Sequence, residues 1–152
     1  MACAMPADSP GGRTRMVFPA DPVAVRQALC ALFTGWTPGP ISSEARDAAQ
    51  IVLAEALNNI VEHAYALAPG EIEVTVEATQ GGVTCQIIDA GVPLPGGALP
   101  DGRLPSPAAA EDLSEGGYGW HLIRSLAEDL CYRREGGRNL LSFRISAQQS
   151  SE

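Results

Sequence analysis

The segment that most constrains this chain runs from Glu55 to Tyr65, EALNNIVEHAY, because it sets polar side chains at helical spacing within an apolar stretch. Glu55, Asn59 and His63 stand four residues apart. On a helix of ~3.6 residues per turn each such step drifts only ~40°, so the three share one face, and Glu62 falls in the same arc. Ala56, Ile60 and Ala64 run alongside. A polar strip beside a buried stripe is either the floor of a site or a solvated helix face.

The chain has 152 residues, 45% of them hydrophobic, which suits one domain with a real core. Residues 1–14, rich in Pro, Gly, Ala and Ser, read as a mobile tail, residues 15–147 as the domain, and 148–152 as a second tail. The net charge of -8 argues against unspecific attraction to nucleic acid or to an anionic membrane, since both reward clustered positive charge. All ten basic residues are arginine, which rules out lysine-dependent chemistry such as a Walker A phosphate clamp or a Schiff base. Cys3, Cys30, Cys85 and Cys131 are scattered without a C-x-x-C pair, so neither a zinc knuckle nor a thioredoxin-type motif is available. The start of the chain does not have the form of a signal peptide, and no run of 18 apolar residues occurs. A cytoplasmic protein is the expectation.

Arg15 to Pro19 reads as a strand, and Asp21 caps a helix with Pro22 at its first position. Ser42 or Ser43 caps the next helix, which carries the opening segment and runs to Pro69-Gly70. EIEVTVEA and VTCQIID alternate with period two around Gly81-Gly82, predicting an antiparallel hairpin that ends at Asp89. Residues 92–116 lack periodicity and carry five prolines, the mark of a functional lid or a disordered segment. GGYGWHLIRSLAEDL predicts a helix reaching Leu130, and Cys131–Arg134 and Asn139–Ser146 two further strands.

Three stations along this order suit a nucleotide. Asn59 offers a neutral amide oxygen fit for Mg²⁺, which takes few protein ligands and completes its shell with phosphate and water; an Asn bonding a nearby loop gives the same pattern. Glu55, one turn earlier, is placed to accept a proton from an attacking hydroxyl, or else is an exposed helix carboxylate. Asp89 at a strand end can accept from an exocyclic amine such as that of adenine, with Gly91 allowing close approach, although Asp-x-Gly is also a common turn. Gly116, Gly117 and Gly119 leave backbone amides open where a helix begins, so phosphate can bind without a basic side chain. A dinucleotide fingerprint fits less well, because a third glycine is missing at the required interval and the preceding segment is loop.

Together these residues resemble the GHKL ATPase superfamily and, within it, the anti-sigma factor serine/threonine kinase family. Glu55-x-x-x-Asn59 with His63-Ala64-Tyr65 is similar to the N box, Asp89-Ala-Gly91-Val-Pro93-Leu94 to the first glycine box, and Gly117-Tyr-Gly119-Trp-His-Leu122-Ile123 to the second. Trp120 stands where that family usually has a leucine after Gly-x-Gly, and His121 follows where an apolar residue is common. The resemblance covers residues 15 to 146 and implies a Bergerat two-layer α/β sandwich, a mixed and mostly antiparallel sheet with helices on one face. It implies ATP and Mg²⁺ as cofactors, with Asn59 on the metal, Glu55 as base, Asp89 on adenine and the glycines beside the phosphates. It further implies a protein kinase acting on an anti-sigma factor antagonist, with a possible sigma factor partner and a homodimer. An ATP-dependent interaction switch without transfer, or a bare ATPase, remains the alternative. Arg103 in the lid is a further candidate for the phosphates, and His63 a supporting residue.

Overall fold

The helix starts follow from local chemistry. Asp21 Oδ1 accepts from the Ala24 amide at 2.8 Å ahead of α1 (Pro22–Thr34), and Ser42 Oγ accepts from the Ala45 amide at 3.1 Å ahead of α2 (Ser43–Asn59). Each cap satisfies an amide that the first helical turn leaves orphaned. The structure, a computed structural model, describes residues 13–34, 42–79, 82–100 and 117–146. Strands β1 (Arg13–Pro19), β2 (Glu71–Thr79), β3 (Gly82–Asp89), β4 (Glu128–Glu135) and β5 (Arg138–Ser146) form one sheet in the order β1-β2-β3-β5-β4. All four pairings are antiparallel, so the parallel portion of a mixed sheet has no counterpart among the described strands.

Period-two alternation selects the inner face. Met16 and Phe18 of β1, Ile72, Val74 and Val76 of β2, Val83, Cys85 and Ile87 of β3, and Leu141, Phe143 and Ile145 of β5 are all buried. Helices α1, α2 and α3 (Gly117–Leu126) form the second layer, with α2 packed between the other two and over β3 and β5. Ala45, Ala48, Ala49, Val52, Leu53, Ala56 and Leu57 form its buried stripe, and the four alanines let neighbouring elements approach closely. Leu53 and Leu57 are fully enclosed, each contributing about 1.5–3 kcal/mol of burial.

Three boundaries differ from those predicted. β1 begins at Arg13, where it pairs with Glu77, rather than at Arg15. The helix carrying Asn59 does not continue to Pro69: from Ile60 to Ala64 it widens into a single π turn, closed by the Tyr65 amide on the Ile60 carbonyl at 3.1 Å. α3 stops at Leu126, and Leu130 belongs to β4, because Asp129 takes a left-handed φ of 54° that no helix can accommodate. The segment after α1 and most of the proline-rich stretch, including Arg103, lie outside the described residues.

Candidate functional site

The inner rows of β3 and β5 end in polar residues. Asp89 is in phase with Val83, Cys85 and Ile87, and pairs across the ladder with Asn139, which is in phase with Leu141, Phe143 and Ile145. Both are therefore carried onto the core face, where they are 5% and 4% exposed. A pocket of about 290 Å³ opens beside them, with Ala56, Asn59, Ile60 and His63 from α2 and its π turn on one side. Val92, Pro93, Leu94 and Pro95 from the loop after β3, together with Trp120, Tyr132 and Leu141, complete the wall. Apolar walls with a few buried polar groups are what a small-molecule site requires. A recess of about 330 Å³ at the outer strand ends touches Asp89 alone among the predicted site residues.

Asp89 Oδ1 accepts from the Gly91 amide and from Asn139 Nδ2, each at 2.8 Å, which leaves Oδ2 for a ligand. Burial raises its carboxyl above the ordinary range, opposed by the Asn139 and Gly91 hydrogen bonds and by the positive charge of Arg134. Tyr65 fixes the backbone behind it, donating to the Glu71 carbonyl at 2.8 Å and accepting from the Ala90 amide at 2.7 Å. Burial also raises the Tyr65 phenol, which stays protonated and able to donate.

Asn59 lies 9% exposed at the end of α2, and its Nδ2 is buried without a hydrogen-bond partner among the described residues. Such an atom costs about 1–3 kcal/mol. The two ends of an amide are told apart only by their neighbours, so a half-turn presents the oxygen instead, the donor a hard cation takes. The site thus fits a Mg²⁺ ion held largely by phosphate oxygens, and among the described residues no cluster of three acidic, His or Cys side chains offers a richer cage.

Glu55 sits one turn before Asn59, half-buried and against the start of α3: a Cβ built at Gly119 would lie 2.8 Å from Glu55 Oε1 and 3.8 Å from Asn59 Nδ2. Gly119 is therefore the close approach that brings the N-terminus of α3 onto the polar strip. Gly117 is the first residue of α3, and Gly116 lies outside the described residues. Gly91 does not line the pocket. A Cβ there would meet the Ala64 carbonyl oxygen at 2.3 Å, so its glycine is required by packing on the π turn, where the Val92 amide donates to Ala64 O at 2.9 Å. The polar strip is divided accordingly: Asn59 and His63 line the pocket, Glu55 faces α3, and Glu62 lies exposed, 3.8 Å from His63 Nε2.

The sequence reading missed Asn139, Tyr132 and Arg134. Asn139 had a signal, as a polar residue two positions ahead of the alternating apolar row Leu141, Phe143, Ile145. Tyr132 and Arg134 sit on an edge strand whose mostly exposed positions give no such phase.

A helix layer on an antiparallel sheet, with a polar-ended pocket between the central helix and the loop after β3, defines an ATP-binding α/β sandwich of the Bergerat type. The histidine kinase-like ATPase domain family matches residues 18–145, and the chain belongs to that family. It is also 36% identical over 92 residues to the serine/threonine-protein kinase BtrW of Bordetella bronchiseptica. That match covers 59% of this chain and 62% of the relative. The family carries ATP as its ligand. Among the described residues no helix is long and apolar enough to cross a membrane.

Proposed function

We propose that this chain is a protein serine/threonine kinase that uses ATP and Mg²⁺ to phosphorylate an anti-sigma factor antagonist, and that it also acts as an anti-sigma factor by binding a sigma factor. The observation that carries the reading is the placement of the Glu55 carboxylate against the glycine start of α3, one turn from the unpartnered amide of Asn59. The kinase named in the similar protein from Bordetella bronchiseptica supports the reaction class.

In this reading Asp89 Oδ2 accepts from the adenine amine, and the amides at the start of α3 face the phosphates. Asn59 holds Mg²⁺, which when bound neutralises and aligns the phosphate oxygens. Glu55 takes the proton of the attacking serine hydroxyl; its oxygen bonds to the γ-phosphorus while the bond to the β,γ-bridging oxygen breaks, leaving ADP and a phosphoserine. The protein works as a cytoplasmic homodimer.

The test is transfer from γ-labelled ATP to candidate antagonist proteins, with Glu55→Gln alongside. The variant should lose about 10²–10⁴-fold in transfer rate while its ATP affinity stays. ATP binding with no phosphoserine on any antagonist would remove the kinase and leave a nucleotide-dependent interaction switch. Equal transfer by the variant would remove Glu55 as the base.

A further inference from the structure

The loop that closes the pocket is held from the hairpin opposite it. Asn139 Nδ2 donates to Asp89 Oδ1 at 2.8 Å and faces the carbonyls of Val92 at 3.0 Å and Gly91 at 3.3 Å. Its Oδ1 accepts from the Tyr132 hydroxyl at 2.8 Å and from Arg134 Nη1 at 2.9 Å. The orientation of this amide is unambiguous, since reversing it would set nitrogen against two donors and oxygen against three acceptors. Tyr132 also accepts from the Leu94 amide at 2.9 Å, and Arg134 donates to the Gly91 carbonyl at 2.6 Å.

Both ends of the Asn139 amide and the Tyr132 hydroxyl are thus committed within the protein, and none of them is free to read a ligand. Asp89 is different: it lines the pocket, its Oδ1 is engaged by Gly91 and Asn139, and its Oδ2 takes no hydrogen bond from the described residues. We propose that Asn139, Tyr132 and Arg134 are positioning residues that pin Asp89 Oδ1 and the 91–94 segment, so that the β4–β5 hairpin sets the selectivity for a base bearing an amine donor over one bearing a carbonyl at that place. This rests on reading the pocket as the ATP site. A carboxylate free to turn would present either oxygen at varying angles and discriminate weakly; a pinned one presents a single acceptor in one direction.

Among the described residues, Glu71 and Glu73 line the outer recess that Asp89 also borders, and Tyr132 lines the pocket with it. Arg134 approaches from β4, Tyr65 stands behind the strand end, His63 lines the same pocket and Arg138 lies at the outer recess. Among these Arg134 and the Asn139 amide favour the ionised form that an amine donor needs, so losing either should move the acid limb of binding to higher pH.

The experiment compares ATP with inosine triphosphate, which replaces the exocyclic amine by a carbonyl. Both are titrated calorimetrically with Mg²⁺ into the full chain and into Asn139→Ala and Tyr132→Phe. The wild-type protein should prefer ATP by about 10- to 100-fold, the worth of a charge-assisted hydrogen bond. Each variant should lose most of that preference through weaker ATP binding, with inosine triphosphate affinity little changed. The acid limb of ATP binding in Asn139→Ala should rise. Tyr132→Phe keeps the ring and serves if Asn139→Ala fails to fold. Wild-type preference retained undiminished in Tyr132→Phe, or equal losses for both nucleotides, would overturn the positioning role while leaving the ATP reading intact. Wild-type protein that binds neither nucleotide would overturn both.

Discussion

Replacing Gly91 by Ala tests the joint on which the pocket is hung. The added Cβ would lie 2.3 Å from the Ala64 carbonyl oxygen, 2.6 Å from its carbon and 2.7 Å from its Cβ. These atoms belong to the turn itself rather than to a flexible side-chain tip, so the loop and the π turn must part by about 1 Å to reach an ordinary contact of 3.4 Å. That movement breaks the 2.9 Å bond from the Val92 amide to Ala64 O, worth about 0.5–1.5 kcal/mol, and adds an overpacking cost of about 1–3 kcal/mol. The sum is about 2–4 kcal/mol. At about 2–4 °C per kcal/mol for a chain of this size, the midpoint should fall by roughly 5–15 °C.

Thermal unfolding followed by circular dichroism measures this directly, and Gly97→Ala is the matched control. Among the described residues Gly97 has nothing within 4 Å of a built Cβ, so its φ of 71° is what is at stake, at about 1–2 kcal/mol. Because Gly91 also donates to Asp89 Oδ1, ATP affinity should fall with Gly91→Ala and not with Gly97→Ala. A Gly91→Ala midpoint no lower than that of Gly97→Ala would refute the close-packing account.

At Gly119 the crowding has the opposite consequence. The Cβ of Ala would press on Glu55 Oε1, the end of a flexible side chain, so Gly119→Ala should keep its unfolding midpoint and lose at least about tenfold in phosphotransfer; unchanged transfer would show that the Glu55 position is immaterial. In Asp89→Asn, Oδ1 can keep both of its donors while the new amine takes the place of Oδ2, so preference should invert from ATP toward inosine triphosphate, as paired titrations would report. The same change has a pH signature. The raised Asp89 carboxyl contributes stability that is present below about pH 4 and lost as pH rises through its folded pKa, so the wild type should show a decline across that window in urea titrations that the variant lacks. Burial pushes the Cys85 thiol far above its usual range, so native protein should withhold it from thiol reagents until denatured while the exposed Cys30 and Cys131 react; labelling of Cys85 at their rate would contradict the sheet register.

What was legible in the sequence was whatever depends on period and punctuation. The caps at Asp21 and Ser42, the hairpin around Gly82 and the burial of alternate residues in β2, β3 and β5 all follow from local pattern. The π turn was not legible, because Ile60–Ala64 bears no Pro or Gly to mark it, and its carbonyl at Ala64 is claimed by a residue 28 positions later in the chain. The strip read as one face divides because its members meet different neighbours: Asn59 and His63 line the pocket, whereas Glu55 lies against Gly119 of α3. The sequence suggests a close ring as the reason for Gly91, whereas the close neighbour it accommodates is a helix end that only the fold brings near. The end of α3 is hidden in the sequence because the apolar period at Leu126 and Leu130 continues across the left-handed Asp129.

The site is best understood as the place where the core face runs out of apolar residues. Following β3 and β5 inward from their far ends, the facing pairs are Val83 with Ile145, Cys85 with Phe143, Ile87 with Leu141 and then Asp89 with Asn139. The alternation is unbroken, so burial of the last pair is imposed by the same ladder that buries the first three. A carboxylate buried in this way costs free energy unless it is hydrogen-bonded. Asn139 and the Gly91 amide supply that compensation at one oxygen, the charge of Arg134 adds to it from nearby, and the other oxygen takes no hydrogen bond from the described residues. The ladder therefore creates an acceptor inside an apolar wall, and α2 sets the unpartnered Asn59 amide across from it. A nucleoside triphosphate offers what both can use: an amine on an apolar ring for the Asp89 carboxylate and, at its other end, oxygen atoms for the Asn59 amide.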